Sequence, residues 1–400
     1  MSFFSTNNPC PCESGLQHLY CCGAPDRTEL NTIASFIDEG DAVINQLTPE
    51  LQTALSEIKH VPDWFPVTLN VFKNYVQFVK MSPFWYQQSI FLDANRILGT
   101  CAIEADLKWL SDKTKGIAWQ ATPFIFHTAF CGSTLMSKAL ANIYDSLPLR
   151  EPEVLGSLQS YWQSNAATEE KKAWFDRALG LLARRYEPEQ VVVVKANDYA
   201  NALIKPLLEW HPDIPILFMY TPLREFLAGC LKADNRREWI RERYHFIHDT
   251  AAQQLNLPDD LVIEHEAYGK MAAVYWCCNI ALYLQAQQHF PQQLRSLDFN
   301  QMLAHPIDSV QTCAQWFGLR ELPDMTPAHE IKALFSVYSK DENYAYSSEK
   351  RHEDINTLLS AHPAQLEAAE TLAREILGND YPTEHLPGGL IIVNDKPRMF

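Results

Sequence analysis

Basic side chains are scarce: 33 lysines and arginines stand against 49 aspartates and glutamates, a formal net charge of −16 over 400 residues. A protein that grips nucleic acid by its phosphates needs the opposite balance, which excludes nucleic acid as a general partner. Any bound anion must instead meet a local set of donors. No uninterrupted apolar run approaches the roughly 20 residues of a membrane-spanning helix, so no membrane partner is expected. The residues from Met1 to Pro9 have neither the basic start nor the apolar run of a secretory signal, which predicts a cytoplasmic protein. Internal repeats, low-complexity tracts and Gly/Ser linkers are also missing. What is present is an ordinary globular composition, 47% apolar and 20% charged, with length for one large domain or two.

Ten cysteines are a modest number, and only Cys10, Cys12, Cys21 and Cys22 cluster. In a reducing compartment, clustered thiols are more often metal ligands than disulfides. Two close pairs joined by an eight-residue loop suit a tetrahedral zinc ion, and Gly15 and Gly23 let the backbone turn tightly around it. Four thiolates leave no open coordination position, so the zinc is expected to be structural. The run Cys10-Pro11-Cys12-Glu13-Ser14-Gly15, followed by Cys21-Cys22-Gly23, resembles the SEC-C zinc motif. Glu13 stands where that motif usually has glycine. The resemblance implies a docking or stability element, with a protein partner reached through it.

From Arg27 to about Lys115 the apolar spacing predicts helices, over 32–47 and 49–58 and continuing through Phe72, Val76, Phe78 and Val79. Beyond Thr122 the texture changes. Four short apolar runs, at 123–127, 191–194, 215–220 and 294–298, alternate with stretches rich in Leu, Ala, Glu and Lys. Apolar strands alternating with helices predict an α/β fold, a parallel sheet covered on both faces. Such sheets bind ligands at the carboxyl ends of their strands. Cys277 and Cys278 fall in an apolar helical run and read as core. His245, His248 and Asp249, at helical spacing, read as a solvated polar face.

The segment from Phe124 to Leu140 is the informative one. A strand ends, Thr128-Ala129-Phe130-Cys131-Gly132 form a small-residue turn, and a helix starts at about Ser133. Unpaired backbone N–H groups at such a helix start seat a phosphate or sulfate. Gly132 lets the backbone approach the anion, and Ser133 and Thr134 add hydroxyls. The nucleoside-triphosphate loop G-x-x-x-x-G-K-[ST] is not met, since His127 stands at its first glycine and Ser133 at its lysine.

Several segments together resemble the sulfotransferases, P-loop-fold enzymes that move a sulfuryl group from 3′-phosphoadenosine 5′-phosphosulfate to an acceptor hydroxyl or amine. Gly132-Ser133-Thr134-Leu135 matches their G-[ST]-T-[WL] loop, and Arg150-Glu151-Pro152 resembles their K-E-P. Lys195-Ala196-Asn197-Asp198-Tyr199 resembles K-[ST]-P-x-Y, and 297–306 with Phe317-Gly318-Leu319 resembles their late signature. The resemblance implies Glu151 as general base, with Lys195 and Arg150 facing the reacting groups. It further implies a donor held by Cys131, Gly132, Ser133, Thr134 and Leu135. The sequence departs at Phe130, Tyr220 and Ala228, where the family has donor-contacting Lys or Arg, Arg and Ser. Arg224, or Arg236 or Arg237, is the expected substitute.

The implied division is a zinc motif at 1–26, a helical region at 27–117, a sulfotransferase-like P-loop α/β domain at 118–335 and a helical extension at 336–400. Leu390-Ile391-Ile392-Val393 read as a late strand. The leading expectation is a sulfotransferase-like transferase with an unknown small-molecule or protein acceptor. A P-loop phosphotransferase and a non-catalytic anion-binding protein docking through its zinc motif stand as alternatives.

Overall fold

Short runs of β-branched and aromatic residues bounded by turns set the framework. The structure, a computed structural model, describes residues 58–60, 62–92, 102–117, 120–255, 257–258, 261–323, 325–338, 341–345 and 348–391. In chain order, β1 (Trp64–Asn70), β2 (Tyr75–Lys80), α1 (Pro83–Gln88), β3 (Ala102–Asp106) and α2 (Leu107–Lys113) lead to β4 (Phe124–His127) and α3 (Ser133–Ile143). Next come β5 (Ser146–Arg150), α4 (Val154–Trp162), α5 (Thr168–Leu182) and β6 (Val191–Lys195). They are followed by α6 (Ile204–Trp210), β7 (Ile216–Tyr220), α7 (Leu223–Leu231), α8 (Asp234–Gln254), α9 (Tyr268–His289) and β8 (Leu294–Asp298). The chain closes with α10 (Phe299–Ala304), α11 (Pro306–Trp316), α12 (Pro327–Phe335), the ribbon β9 (Val337–Tyr338) and β10 (Asp341–Ala345), α13 (Ser348–Ala361) and α14 (Pro363–Leu377).

The α/β expectation holds: β4 to β8 form a five-stranded parallel sheet flanked by helices, in the order β5-β6-β4-β7-β8. All four foreseen runs are strands of it. The fifth, β5, was not foreseen because Pro148 interrupts its five residues. Its place at the edge of the sheet explains why a proline is tolerated there. The chain leaves β4 toward β5 and leaves β7 toward β8, so β4 and β7 flank the topological switch point.

The chain divides into two compact units: residues 1–122 with 145–195, and residues 123–144 with 196–400. In the first, the helical reading of Phe72 to Val79 is overturned. β1, β2 and β3 form an antiparallel sheet, with β2 pairing both neighbours. Along β2, Val76 and Phe78 are buried while Tyr75 and Gln77 are less so, the two-residue alternation of a strand. The hairpin turns through Asn74 at φ 60°, a left-handed conformation asparagine tolerates, and Lys73 N–H donates to Asn70 Oδ1 at 2.9 Å. Buried Arg184, at the end of α5, donates to the carbonyls of Ile58, Trp64 and Leu181, and burial lowers its pKa to about 10. It fastens α5 to the start of β1.

In the second unit, the middle of α9 is buried on every side, Met271 to Ile280, including Cys277 and Cys278. A helix of that kind sits inside a core. The stretch read as a late strand reaches β8 through one bridge, between Ser296 and Gly389. Leu390 N–H donates to Ser296 O at 2.7 Å there; Ile392 and Val393 lie outside the described residues. Among the described residues no helix is long and apolar enough to cross a membrane.

Candidate functional site

The turn between β4 and α3 is built by hydrogen bonds that leave other donors unmet. Thr128 N–H continues the ladder to Met219 O at 3.1 Å. Ala129 N–H donates to His127 Nδ1 at 3.0 Å, so the ring proton sits on Nε2 and donates to Ala196 O at 3.1 Å. His127, where a nucleotide loop would have glycine, thus folds back and clamps the turn. Ala129, Phe130 and Gly132 then take φ of 66°, 52° and 73°. For the two residues that carry a side chain, such a backbone costs about 1–3 kcal/mol each. Gly132 admits nothing larger, since a Cβ there would lie 2.4 Å from the Phe299 ring and 2.6 Å from Met302 Cε.

The first helical bond of α3 is Met136 N–H to Gly132 O at 3.0 Å. The N–H groups of Ser133, Thr134 and Leu135 precede it and have no helical partner, as at any helix start. The hydroxyls of Ser133 and Thr134, residues 5% and 6% exposed, make no hydrogen bond among the described residues. Cys131 is fully buried and Leu135 nearly so. Unmet donors at the positive end of an eleven-residue helix, with the two hydroxyls beside them, form a seat for an anion.

The expected residues Arg150, Glu151 and Lys195 lie in the first unit. In the β5–β6 register Arg150 stands opposite Lys195, and Glu151 follows directly with φ 53°. Glu151 N–H donates to Lys195 O at 2.6 Å, and Lys195 Nζ bonds Glu151 Oε1. Lys195 is 1% exposed at its side chain and Glu151 18%, and the Phe91 ring lies 5.9 Å from the ammonium. Arg150 binds backbone carbonyls. Its Nη1 donates to the carbonyls of Tyr86, Gln87 and Ser89 at 3.3, 2.9 and 2.8 Å, meeting acceptors at the end of α1. Burial lowers its pKa to about 10.

Arg224, in the first turn of α7, pairs with Glu370 of α14 at 2.9 Å. Both line a cleft of about 390 Å³ that also takes in Ser360, Glu367 and Arg374. Tyr220, at the end of β7, turns its hydroxyl to accept from Leu386 N–H at 2.9 Å. Burial, with Asp298 beside it, pushes that hydroxyl well above its ordinary range. Ala228 is buried in α7.

One cluster here was not foreseen. Glu225 accepts from Asn300 Nδ2 at 2.6 Å and from Thr221 Oγ1 at 3.1 Å, and forms an ion pair with Arg351. Arg351 also donates to Asn300 Oδ1 at 3.0 Å and lies 4.6 Å above the Phe299 ring, the same ring that abuts Gly132. Its members come from α7, α10 and α13 and the link between β7 and α7, and no motif spans such a separation. The expected zinc ligands Cys10, Cys12, Cys21 and Cys22 lie outside the described residues. Among the described residues no group of three or more His, Cys, Asp or Glu side chains is placed to hold a metal ion.

No protein-family model and no curated protein matches this chain. Among solved structures, it is similar to a sulfotransferase from Alicyclobacillus acidocaldarius at 13% identity, covering 66% of this chain and 100% of that one, with a TM-score of 0.33. It is also similar to the sulfotransferase domain from the curacin biosynthetic pathway at 10% identity, covering 61% and 98%, with a TM-score of 0.34. At those values the likenesses do not carry an assignment, and function is argued from the chain's own residues.

Proposed function

We propose that this protein is a sulfotransferase-like transferase that seats an anionic donor of the 3′-phosphoadenosine 5′-phosphosulfate type at the turn between β4 and α3. The observation that carries this reading is the turn itself: left-handed Ala129, Phe130 and Gly132, N–H groups at Ser133 to Leu135 without helical partners, and the hydroxyls of Ser133 and Thr134 beside them. Such a donor supplies the sulfuryl group, its sulfur bonding to the acceptor oxygen as the bond from sulfur to the phosphate oxygen breaks. The protein's part is positioning and charge neutralisation. The α3 donors and the Ser133 and Thr134 hydroxyls hold the oxyanion oxygens. Glu151 takes the acceptor's proton, and Lys195, buried against it, fixes its carboxylate and neutralises charge on the leaving oxygen. Arg150 supports that strand end by fastening α1.

A non-catalytic anion-binding protein is favoured by a different observation: Arg224 and Arg351 are both engaged by carboxylates, Glu370 and Glu225. On either reading the four clustered thiols hold a structural zinc, whose donor chemistry suits it, and elemental analysis of the full chain should return one zinc per chain. Thermal-shift measurements with 3′-phosphoadenosine 5′-phosphate, ATP and GTP separate the readings. Stabilisation by the first alone supports sulfuryl transfer, by ATP or GTP phosphoryl transfer, and by none of them the non-catalytic reading. Glu151→Gln should lower sulfuryl transfer by about a hundredfold or more while leaving the shift unchanged. A Glu151→Gln protein that stayed active would remove the base from this scheme.

A further inference from the structure

The turn that seats the anion has no cation of its own. From His127 to Ser137 the chain carries neither lysine nor arginine, in a protein of net charge −16. It does carry Phe130, and two costs converge on that ring. The first is a left-handed backbone at a bulky residue, φ 52°. The second is Gly229 inside α7, where glycine is less favourable than alanine. A Cβ at Gly229 would lie 2.7 Å from Phe130 Cδ2, so this glycine opens the space the ring fills. Phe226 and Trp239 complete the cage, at 5.7 and 4.9 Å between ring centroids.

What the cage presents is a surface for Arg236, whose guanidinium lies 4.8 Å from the Phe130 ring centre. Stacking occupies the face of a guanidinium and leaves its in-plane N–H donors available. The other arginines nearby on α8 are engaged: Arg237 with Asp234, Arg241 with Glu238, Arg243 with Asp198 at 2.8 Å. Arg236 has no carboxylate partner among the described residues, and only its backbone N–H is used, by Ala233 O at 2.9 Å. Arg236, Trp239 and Arg243 follow one another at three and four residues, a single stripe of α8. Arg243, tied to Asp198 and stacked 5.6 Å from Trp239, holds that stripe in place.

We propose that Arg236 supplies the positive charge of the anion-binding turn, using the Phe130 ring as its platform and donating to a phosphate or sulfate oxygen of the bound donor. This rests on the reading of the turn as an anion seat. It also accounts for a phenylalanine in a left-handed turn, where a smaller residue would bend more readily.

The test is calorimetric titration of the full chain with 3′-phosphoadenosine 5′-phosphate and with inorganic pyrophosphate. Arg236→Ala should weaken both about tenfold, the value of one charge-assisted hydrogen bond. Arg236→Lys should recover part of the loss, and Arg237→Ala should stay within about twofold. Phe130→Leu, which keeps apolar bulk and removes the π face, should cost about threefold. Should Arg236→Ala fail to fold, Arg236→Gln, uncharged and of similar length, serves in its place. Binding of both probes unchanged by the loss of the Arg236 charge overturns the proposal and leaves the anion seat standing. Wild-type protein that binds neither probe overturns both.

Discussion

The turn after β4 and the corner after β5 both bend through left-handed residues that carry side chains, yet they treat their polar groups in opposite ways. At the corner, Glu151 has its N–H on Lys195 O and its carboxylate on Lys195 Nζ. At the turn, the N–H groups of Ser133 to Leu135 and the hydroxyls of Ser133 and Thr134 have no hydrogen-bond partner among the described residues. The same kind of backbone strain therefore has different meanings. At the corner it delivers a preformed ion pair, and at the turn it holds donors toward something the chain does not supply. Backbone strain alone does not mark a binding seat; strain together with unmet donors does.

Substitutions at the two places sharpen this contrast, taken from the largest effect on stability downward. Gly132→Ala forces a Cβ into Phe299 at a left-handed position, and should cost about 2–4 kcal/mol in urea unfolding as well as anion binding. Lys195→Met removes one partner of a buried pair. It should cost about 2–3 kcal/mol, less than a wholly buried pair, because Glu151 keeps 18% exposure. Adding Glu151→Gln to Lys195→Met should recover part of that loss, and a double variant as unstable as the sum would show that the pair is not coupled. Ser133→Ala and Thr134→Ala delete hydroxyls with no hydrogen bond among the described residues, so unfolding should move by no more than about 0.5 kcal/mol. Pyrophosphate affinity in the same variants should fall about fivefold each. Variants that lose stability but keep affinity would turn the comparison around.

Much of the parallel sheet was legible because runs such as Val191 to Val194 are apolar and β-branched throughout, the mark of a strand buried on both faces. β5 hid behind Pro148, and the β1–β2 hairpin was read as helix. Phe72, Val76 and Val79 happen to fall at four- and three-residue steps, whereas the alternation of Val76 and Phe78 is what the fold uses. The turn was legible for its local chemistry: Gly132 with Ser133 and Thr134 opening a helix is a pattern within one short segment. Partnerships were not. Glu151 was expected as a general base, with Lys195 and Arg150 facing the reacting groups; its ion pair with Lys195 follows from the register of β5 against β6, which only the folded sheet defines. Glu225 with Arg351, and Phe130 with Arg236, join residues from distant helices and carry no short-range signal.

Gly229 has a consequence for anyone wishing to move this turn elsewhere. The path of Phe130 depends on a vacancy in a helix far along the chain, and on Phe226 and Trp239 around it. Residues 127–135 grafted onto another sheet would bring the letters of the loop without the mould that shapes it. The transplantable unit is the loop together with one face of α7 and one of α8, and a homology search confined to the loop would overlook the part that gives it form.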